Sequence, residues 1–341
     1  MKVAIYYSPE DIRYVDAPVP NIGSEEALVR MKACGICGSD LMKWYIKNRV
    51  PLVLGHEPCG IITKIGKNVK EFEVGERVFV HHHVACMTCY HCSRGFFTMC
   101  EQFKRTHIEP GGFSEFFKVP SPNLKLDTLR IPESISFEEG TLIEPIACCI
   151  RAQNKCNIQQ GDSVSIIGAG TSGLIHEMLL NNRGVKQIIV SDLVDFRLDI
   201  AKALGANVVI NPKKENIEKK VKEFTEDKGA NIVIVTAPTL EAITSGIKVC
   251  SKGGTICIFA PISPKVHASI DLNKLFFSEI KIVFSYSTSH IETREALKLL
   301  HNNQINAKKL ITHRFPLHKI GEAFKTALTN KESLKIVIIG E

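Results

Sequence analysis

Four cysteines fall within fifteen residues, Cys86, Cys89, Cys92 and Cys100, spaced C-x2-C-x2-C-x7-C. Thiolates are soft ligands, and four of them complete a tetrahedral shell around zinc with no position open to substrate. The spacing therefore predicts a structural zinc site, pinning a loop with little apolar core of its own beyond Met99, Phe96 and Phe97. A second set is chemically mixed. Cys37, within Cys34-Gly35-Ile36-Cys37-Gly38-Ser39-Asp40, and the pair His56-Glu57 offer sulfur, nitrogen and oxygen, with Glu144 of Leu142-Ile143-Glu144-Pro145 as a fourth candidate. Mixed ligands that leave room for water or substrate mark a catalytic zinc. Taken singly, Cys34 or Cys37 could equally be packed thiols, His56 a core histidine and Glu144 a carboxylate at a helix start.

The third group is Gly168-Ala169-Gly170-Thr171-Ser172-Gly173, a G-x-G-x-x-G that directly follows a strand candidate and opens a helical segment. Gly168 allows a tight turn, Gly170 lets backbone approach a pyrophosphate, and Gly173 lets helix and strand pack closely, with the helix N-terminus facing the phosphate charge. Asp192 stands at the end of the next strand, twenty-four residues after Gly168, where a carboxylate accepts hydrogen bonds from ribose hydroxyls. The same charge repels a 2′-phosphate, which favours NAD over NADP. Arg197 works the other way, because a nearby arginine can accommodate that phosphate.

Elements must hold these groups in place. Up to about Cys149 the chain reads as short strands separated by Gly, Pro and Asn, with Val3–Tyr7, Ala27–Ala33, Cys59–Ile65 and Arg77–Val80 as strands. From about Gly161 apolar runs alternate with helical periodicity: Ser163–Ile167, Gln187–Ser191, Val208–Ile210, Ile232–Val235 and Thr255–Phe259 are the strands. Strand and helix in alternation imply right-handed crossovers and a doubly wound parallel sheet, so the fold class is α/β with a β-rich first domain. After Phe284 come a helix around Glu292–Asn302, a turn at Phe315-Pro316, a further helix and a last strand, Leu334–Ile339. This tail is expected to pack back onto the first domain.

With 341 residues the chain is long enough for two cores, and 44% hydrophobic with 23% charged residues is a globular composition. The net charge of +7 is spread along the chain, and its densest run, Lys213 to Lys220, mixes signs like the polar face of a helix. Twelve cysteines in a reducing compartment favour metal ligation over a disulfide scaffold. The opening apolar run is too short for a secretory segment and no later stretch approaches a membrane span, so a cytoplasmic protein with neither membrane nor nucleic acid as partner is expected.

Taken together and in this order, these motifs resemble the zinc-dependent medium-chain dehydrogenase/reductase family over essentially the whole chain. The polyol branch, sorbitol and galactitol-phosphate dehydrogenases, is most similar at Glu138-Glu139-Gly140-Thr141-Leu142-Ile143-Glu144-Pro145, at Ser191-Asp192-Leu193 with Arg197, and at Thr312-His313-Arg314-Phe315-Pro316-Leu317. The resemblance implies a GroES-like catalytic domain, residues 1–151 with 285–341 returning to it, a Rossmann domain at 152–284, and an active site in the cleft between them. By the same resemblance Cys37, His56 and Glu57 bind catalytic zinc, Glu144 ligates it or holds its water, and Ser39 relays the substrate proton. Cofactor contacts fall on Ser172, Asp192, Arg197, Phe259, Ala260, Pro261, Phe284, Ser285 and Tyr286. Two zinc ions per subunit, NAD, a small alcohol or ketone substrate and a homodimer or homotetramer complete the expectation.

Two positions depart from the pattern. Ser285 stands where sorbitol dehydrogenase carries an arginine that grips a polyol hydroxyl, and Met42 where many relatives place a relay histidine. His81, His82 and His83 read as strand-end residues on a cleft wall. The alternatives are an L-threonine or simple secondary-alcohol dehydrogenase, an NAD-binding sensor without turnover, and a zinc-ribbon protein that binds nucleic acid. Against the last stand the ordered glycine motif with Asp192 and the absence of interleaved aromatic and basic residues.

Overall fold

The computed structural model describes residues 1–340 and divides the chain into two units, Met1–Ala147 together with the chain from Ser287 on, and Cys148–Tyr286. In the first unit β1 (Lys2–Ser8) pairs with β2 (Asp11–Asp16), and β3 (Ala27–Gly35) is followed by β4 (Leu52–Val53), β5 (Pro58–Ile65), β6 (Arg77–Val80), β7 (Phe116–Val119) and β8 (Thr128–Arg130). The antiparallel pairing of β3 with β5 sets Cys34 opposite Pro58. Residues just past the end of β3 and just ahead of β5 therefore lie side by side, and these are Cys37 and His56-Glu57. Tyr6, Met31, Ile62, Phe113, Phe117 and Phe324 are fully buried in the core behind this sheet. Removing such a ring or chain from water contributes roughly 1.5–3 kcal/mol apiece.

The second unit carries β9 (Ser163–Ile167), β10 (Gln187–Ser191), β11 (Val208–Ile210), β12 (Ala230–Val235), β13 (Cys250–Ile258) and β14 (Lys281–Phe284), all parallel, in the order β11-β10-β9-β12-β13-β14. Strand order reverses at β9, and outside the carboxyl end of that strand a doubly wound sheet leaves its crevice. Every residue of β9 is buried, as befits a strand covered on both faces.

The chain then returns to the first unit. β15 (Ile311–Pro316) and β16 (Lys335–Ile339) extend the sheet in the order β15-β16-β3-β5-β6-β8, with β16 antiparallel to β3. The turn expected at Phe315-Pro316 is instead the end of β15. Pro316 is tolerated there because β15 is an edge strand, whose outer backbone groups need no ladder partner. β8 and β14 did not stand out from their surroundings in the sequence, because β8 has Leu129 as its one apolar residue and β14 follows closely on the apolar helical stretch Leu272–Phe277. No helix among the described residues is long and apolar enough to cross a membrane.

Candidate metal centres and glycine cradle

The ligand atoms of Cys37, His56 and Glu57 all lie within 4.8 Å of one another. Cys37 caps the 3-10 turn Gly38–Leu41, and the Asp40 carboxylate folds back to accept its backbone N–H at 3.0 Å. The other oxygen of Asp40 faces His56 Nδ1 at 3.4 Å, so one buried acid fixes both ligands. A carboxylate behind a ligating imidazole sets its tautomer and ring orientation. Burial disfavours the charged imidazole, but Asp40 and Cys37 outweigh it and raise the His56 pKa well above its usual value.

Glu57 is fully buried, and one of its oxygens has no hydrogen-bond partner. The other forms an ion pair with Lys335, at the start of β16, whose ammonium also donates to the carbonyl of Ile36 at 3.2 Å. Burial raises the Glu57 pKa, against the pull of Lys335 and His56, and nearby Glu144 raises it further. Gly35 makes room for this pair: a Cβ there would stand 1.9 Å from the Glu57 carboxylate. Glu144 sits buried in the first turn of the helix Ile143–Cys156 and is not one of the three groups that converge. Ser39 lies in the Gly38–Leu41 turn beside Cys37, and Met42 ends that turn with a thioether that carries no proton.

His81, His82 and His83 follow directly on β6. Buried His81 sets its Nδ1 2.7 Å from the equally buried Asp127, and the His82 ring lies 4.9 Å from that of His56. Burial lowers the pKa of His82 well below the usual value and that of His83 to about 3, so both are neutral at physiological pH.

At the second cysteine set, Cys86, Cys89, Cys92 and Cys100 converge within 4.8 Å. The sulfurs of Cys89 and Cys92 are 3.5 Å apart, those of Cys86 and Cys92 4.0 Å. A tetrahedron with Zn–S bonds of 2.3 Å has edges of about 3.8 Å, which these separations bracket. Hydrogen bonds from Thr88 lower the Cys86 thiol to about 6, and burial with the Cys89 contact pushes Cys92 up to about 12.

In the second unit the three glycines of the turn answer to three constraints. Gly168 holds φ +105°, and a Cβ on Gly173 would stand 1.9 Å from the Gly168 carbonyl. A Cβ on Gly170 would meet nothing within 4 Å, so the backbone there borders open space at the N-terminus of the helix Thr171–Asn181. Ser172 lies in its first turn. Asp192, just past β10, accepts the N–H of Ala169 at 2.8 Å and that of Val194 at 2.9 Å, with Arg197 at 3.9 Å. The acid is thus bound to the glycine turn itself. Phe259, followed by Ala260 and Pro261, packs edge-on against His176 at 4.8 Å, while Phe284 is exposed, the Ser285 hydroxyl is buried without a partner, and Tyr286 is partly exposed.

Two residues of these sites escaped the sequence reading. Asp40 was visible only as part of a motif, and Lys335 comes from the far end of the chain. The signal for Lys335 was a lone charge opening the all-apolar run Ile336 to Ile339, since a strand buried from its first residue retains a lysine there only against a partner.

Comparison with known proteins gives a consistent account. The model described as the alcohol dehydrogenase GroES-like domain matches residues 23–129, and the zinc-binding dehydrogenase model matches residues 173–302. Sorbitol dehydrogenase of Bacillus subtilis strain 168 is 32% identical, across 99% of this chain and 97% of the relative. L-threonine 3-dehydrogenase of Pyrococcus abyssi is also 32% identical, across 93% and 92%. An alcohol dehydrogenase structure from Escherichia coli CFT073, complexed with NADH, superposes with a TM-score of 0.89 at 26% identity, covering 99% of each chain.

Proposed function

This chain belongs to the zinc-dependent medium-chain dehydrogenase/reductase family and is an oxidoreductase, and on that premise we propose that it oxidises a secondary alcohol of a polyol or polyol phosphate to the ketone, reversibly, with NAD. The observation that carries the reading is the convergence of Cys37, His56 and Glu57, in a chain that also holds the glycine turn tied to Asp192. The donor sets fit two zinc ions per subunit. When bound, the catalytic zinc supplies Lewis acidity toward the substrate oxygen and NAD a hydride acceptor.

The chain's own residues do the rest. Cys37, His56 and Glu57 would hold the metal, with Glu144 as a fourth ligand or as the acceptor for a water. Asp40 keeps the imidazole and the Cys37 turn aligned. Ser39 takes the substrate proton and hands it outward to solvent, because Met42 offers no onward relay. Asp192, with Arg197 beside it, accepts the ribose hydroxyls, and its charge disfavours a 2′-phosphate. Ser172 and the N-terminus of its helix face the pyrophosphate. Phe259, Ala260, Pro261, Phe284, Ser285 and Tyr286 border the coenzyme.

NADH formation on polyols, polyol phosphates, L-threonine and simple secondary alcohols tests this reading, with NAD and NADP compared and zinc determined on the same sample. Turnover is expected with polyols or their phosphates and is lost on chelation. Cys37→Ala should remove turnover and one zinc yet spare NADH binding; full activity in that variant sinks the assignment. The 32% identity to L-threonine 3-dehydrogenase supports a second reading, in which L-threonine alone reacts.

A homo-oligomer is part of the proposal. β14 is an edge strand whose last residue, Phe284, is 67% exposed, and Phe276 and Phe277 at the end of the helix ahead of it are 74% and 79% exposed. An unpaired edge flanked by exposed rings is an association surface, and antiparallel pairing with a second copy would satisfy both edges at once. Phe277→Lys with Phe284→Lys should give monomers in sedimentation velocity; an unchanged oligomer refutes this surface.

A further inference from the structure

A cavity of about 300 Å³ opens on the second unit at the amino-terminal end of its sheet. Its wall is built near the amino-terminal ends of three strands and alongside a fourth: Asp162 ahead of β9, Asn231 in β12, Lys281 opening β14, and Thr255 within β13. Ile232 pairs with Thr255 and Thr255 with Lys281, so these residues stand at one level of the sheet. Gly168 follows the opposite end of β9, a strand length of roughly 16 Å away. Coenzymes of doubly wound sheets bind outside the carboxyl ends of the strands, so this cavity is separate from the glycine cradle.

The cavity is basic. Lys155, Lys252 and Lys281 line it, against Asp162 as the one acid, whose carboxylate is occupied by the backbone N–H of Gln159 at 2.8 Å. Lys155 donates to the carbonyl of Phe284 at 2.7 Å. Lys252 and Lys281 form no ion pair among the described residues. The side-chain oxygen of Asn231 accepts the backbone N–H of Ser163 at 2.9 Å, which fixes that amide and turns its nitrogen into a neutral donor beside the lysines. Like charges gathered in one concavity repel one another, and a bound anion converts that repulsion into attraction. Ammonium groups act on a phosphate as compact point charges, and the volume suits a small ligand.

We propose that this cavity binds a small phosphate-bearing anion, held by Lys252 and Lys281 with the Asn231 amide as a neutral donor. The site is independent of the zinc centres and of the coenzyme. Its ligand is either inorganic phosphate or a phosphate ester, and both present the same dianionic head.

The test is isothermal titration calorimetry on the zinc-loaded protein saturated with NADH, which closes the coenzyme cradle to phosphate. Inorganic phosphate and glycerol 3-phosphate are titrated in parallel at constant ionic strength, with sodium chloride as the control. One saturable site per chain is expected, weakened at least tenfold in Lys252→Gln/Lys281→Gln, while the NADH dissociation constant of that variant stays unchanged. Tighter binding of glycerol 3-phosphate assigns the site to an ester, and equal binding assigns it to the phosphate head alone. Heat no greater than that of sodium chloride, binding untouched by the double substitution, or binding seen only without NADH overturns the proposal.

Discussion

Replacing Glu177 by Gln should change how the stability of the second unit depends on pH between about pH 5 and 8.5. Glu177 lies on the helix Thr171–Asn181, fully buried, and neither of its oxygens has a hydrogen-bond partner. Burial pushes its pKa from the usual 4.5 up to about 8, only partly offset by the nearby backbone N–H of Ala206, which makes its hydrogen bond to the carbonyl of Ala201 instead. An acid whose pKa is raised on folding holds its proton more tightly in the folded state, so stability is full below pH 4.5 and drains away as pH rises toward 8. Each unit of pKa difference corresponds to about 1.4 kcal/mol. A span from 4.5 to about 8 therefore amounts to about 4–5 kcal/mol at pH 8 and about 3 kcal/mol at pH 7, as orders of magnitude. Glu177→Gln removes the titration and keeps the shape. Thermal unfolding of wild type and variant from pH 5 to pH 8.5, with NADH absent, should show near-equal midpoints at the acid end and a gap widening by about 3–5 °C per pH unit above it. A gap that stays constant between pH 5.5 and 8 would refute the reasoning, because it would show a shape effect with no buried charge behind it.

Cys92→Ser should cost one zinc per chain and lower the stability of the first unit by about 4 kcal/mol or more, as loss of a structural metal does, read by elemental analysis and thermal unfolding. Turnover would fall only as the fold fails, in contrast to Cys37→Ala. Lys335→Met strands the buried Glu57 carboxylate and should cost about 3–5 kcal/mol in the zinc-stripped protein. The cost should shrink when zinc is restored, since the ion then neutralises the acid; equal losses with and without zinc would refute that account. Asp192→Asn removes a charged acceptor from the coenzyme cradle and should raise the KM for NAD about 10–100-fold while narrowing the NAD over NADP preference, measured by steady-state kinetics with both coenzymes.

The parts of this structure that were legible in the sequence are those whose logic is local. The four cysteines span fifteen residues, and the glycine turn is written between one apolar strand and one helix, so spacing alone indicates their geometry. Ser163–Ile167, Gln187–Ser191 and Val208–Ile210 are strands with the expected bounds because each is a short apolar run cut off by polar residues. The mixed set of Cys37, His56 and Glu57 is different. Nothing between residues 37 and 56 says that they meet; the pairing of β3 with β5 does, and the pairing became visible only through likeness to a family. The lone charge at Lys335 signalled a buried partner but not which one, because that depends on a register set three hundred residues away, with Val337 opposite Gly35. Pro316 misled for a physical reason: proline breaks a central strand but not an edge.

That same register bears on how the chain is made. The second unit is one uninterrupted stretch, Cys148–Tyr286, and can fold as soon as it leaves the ribosome. The first unit cannot. Until β16 emerges, β3 keeps a bare edge next to Cys37, and Glu57 has no ammonium to meet. A nascent chain stalled before residue 335 would therefore carry a finished coenzyme module beside an unfinished metal module, open to proteases and to stray metal ions. The arrival of β16, with the one lysine that meets Glu57, is the event that closes the pocket around Cys37, His56 and Glu57.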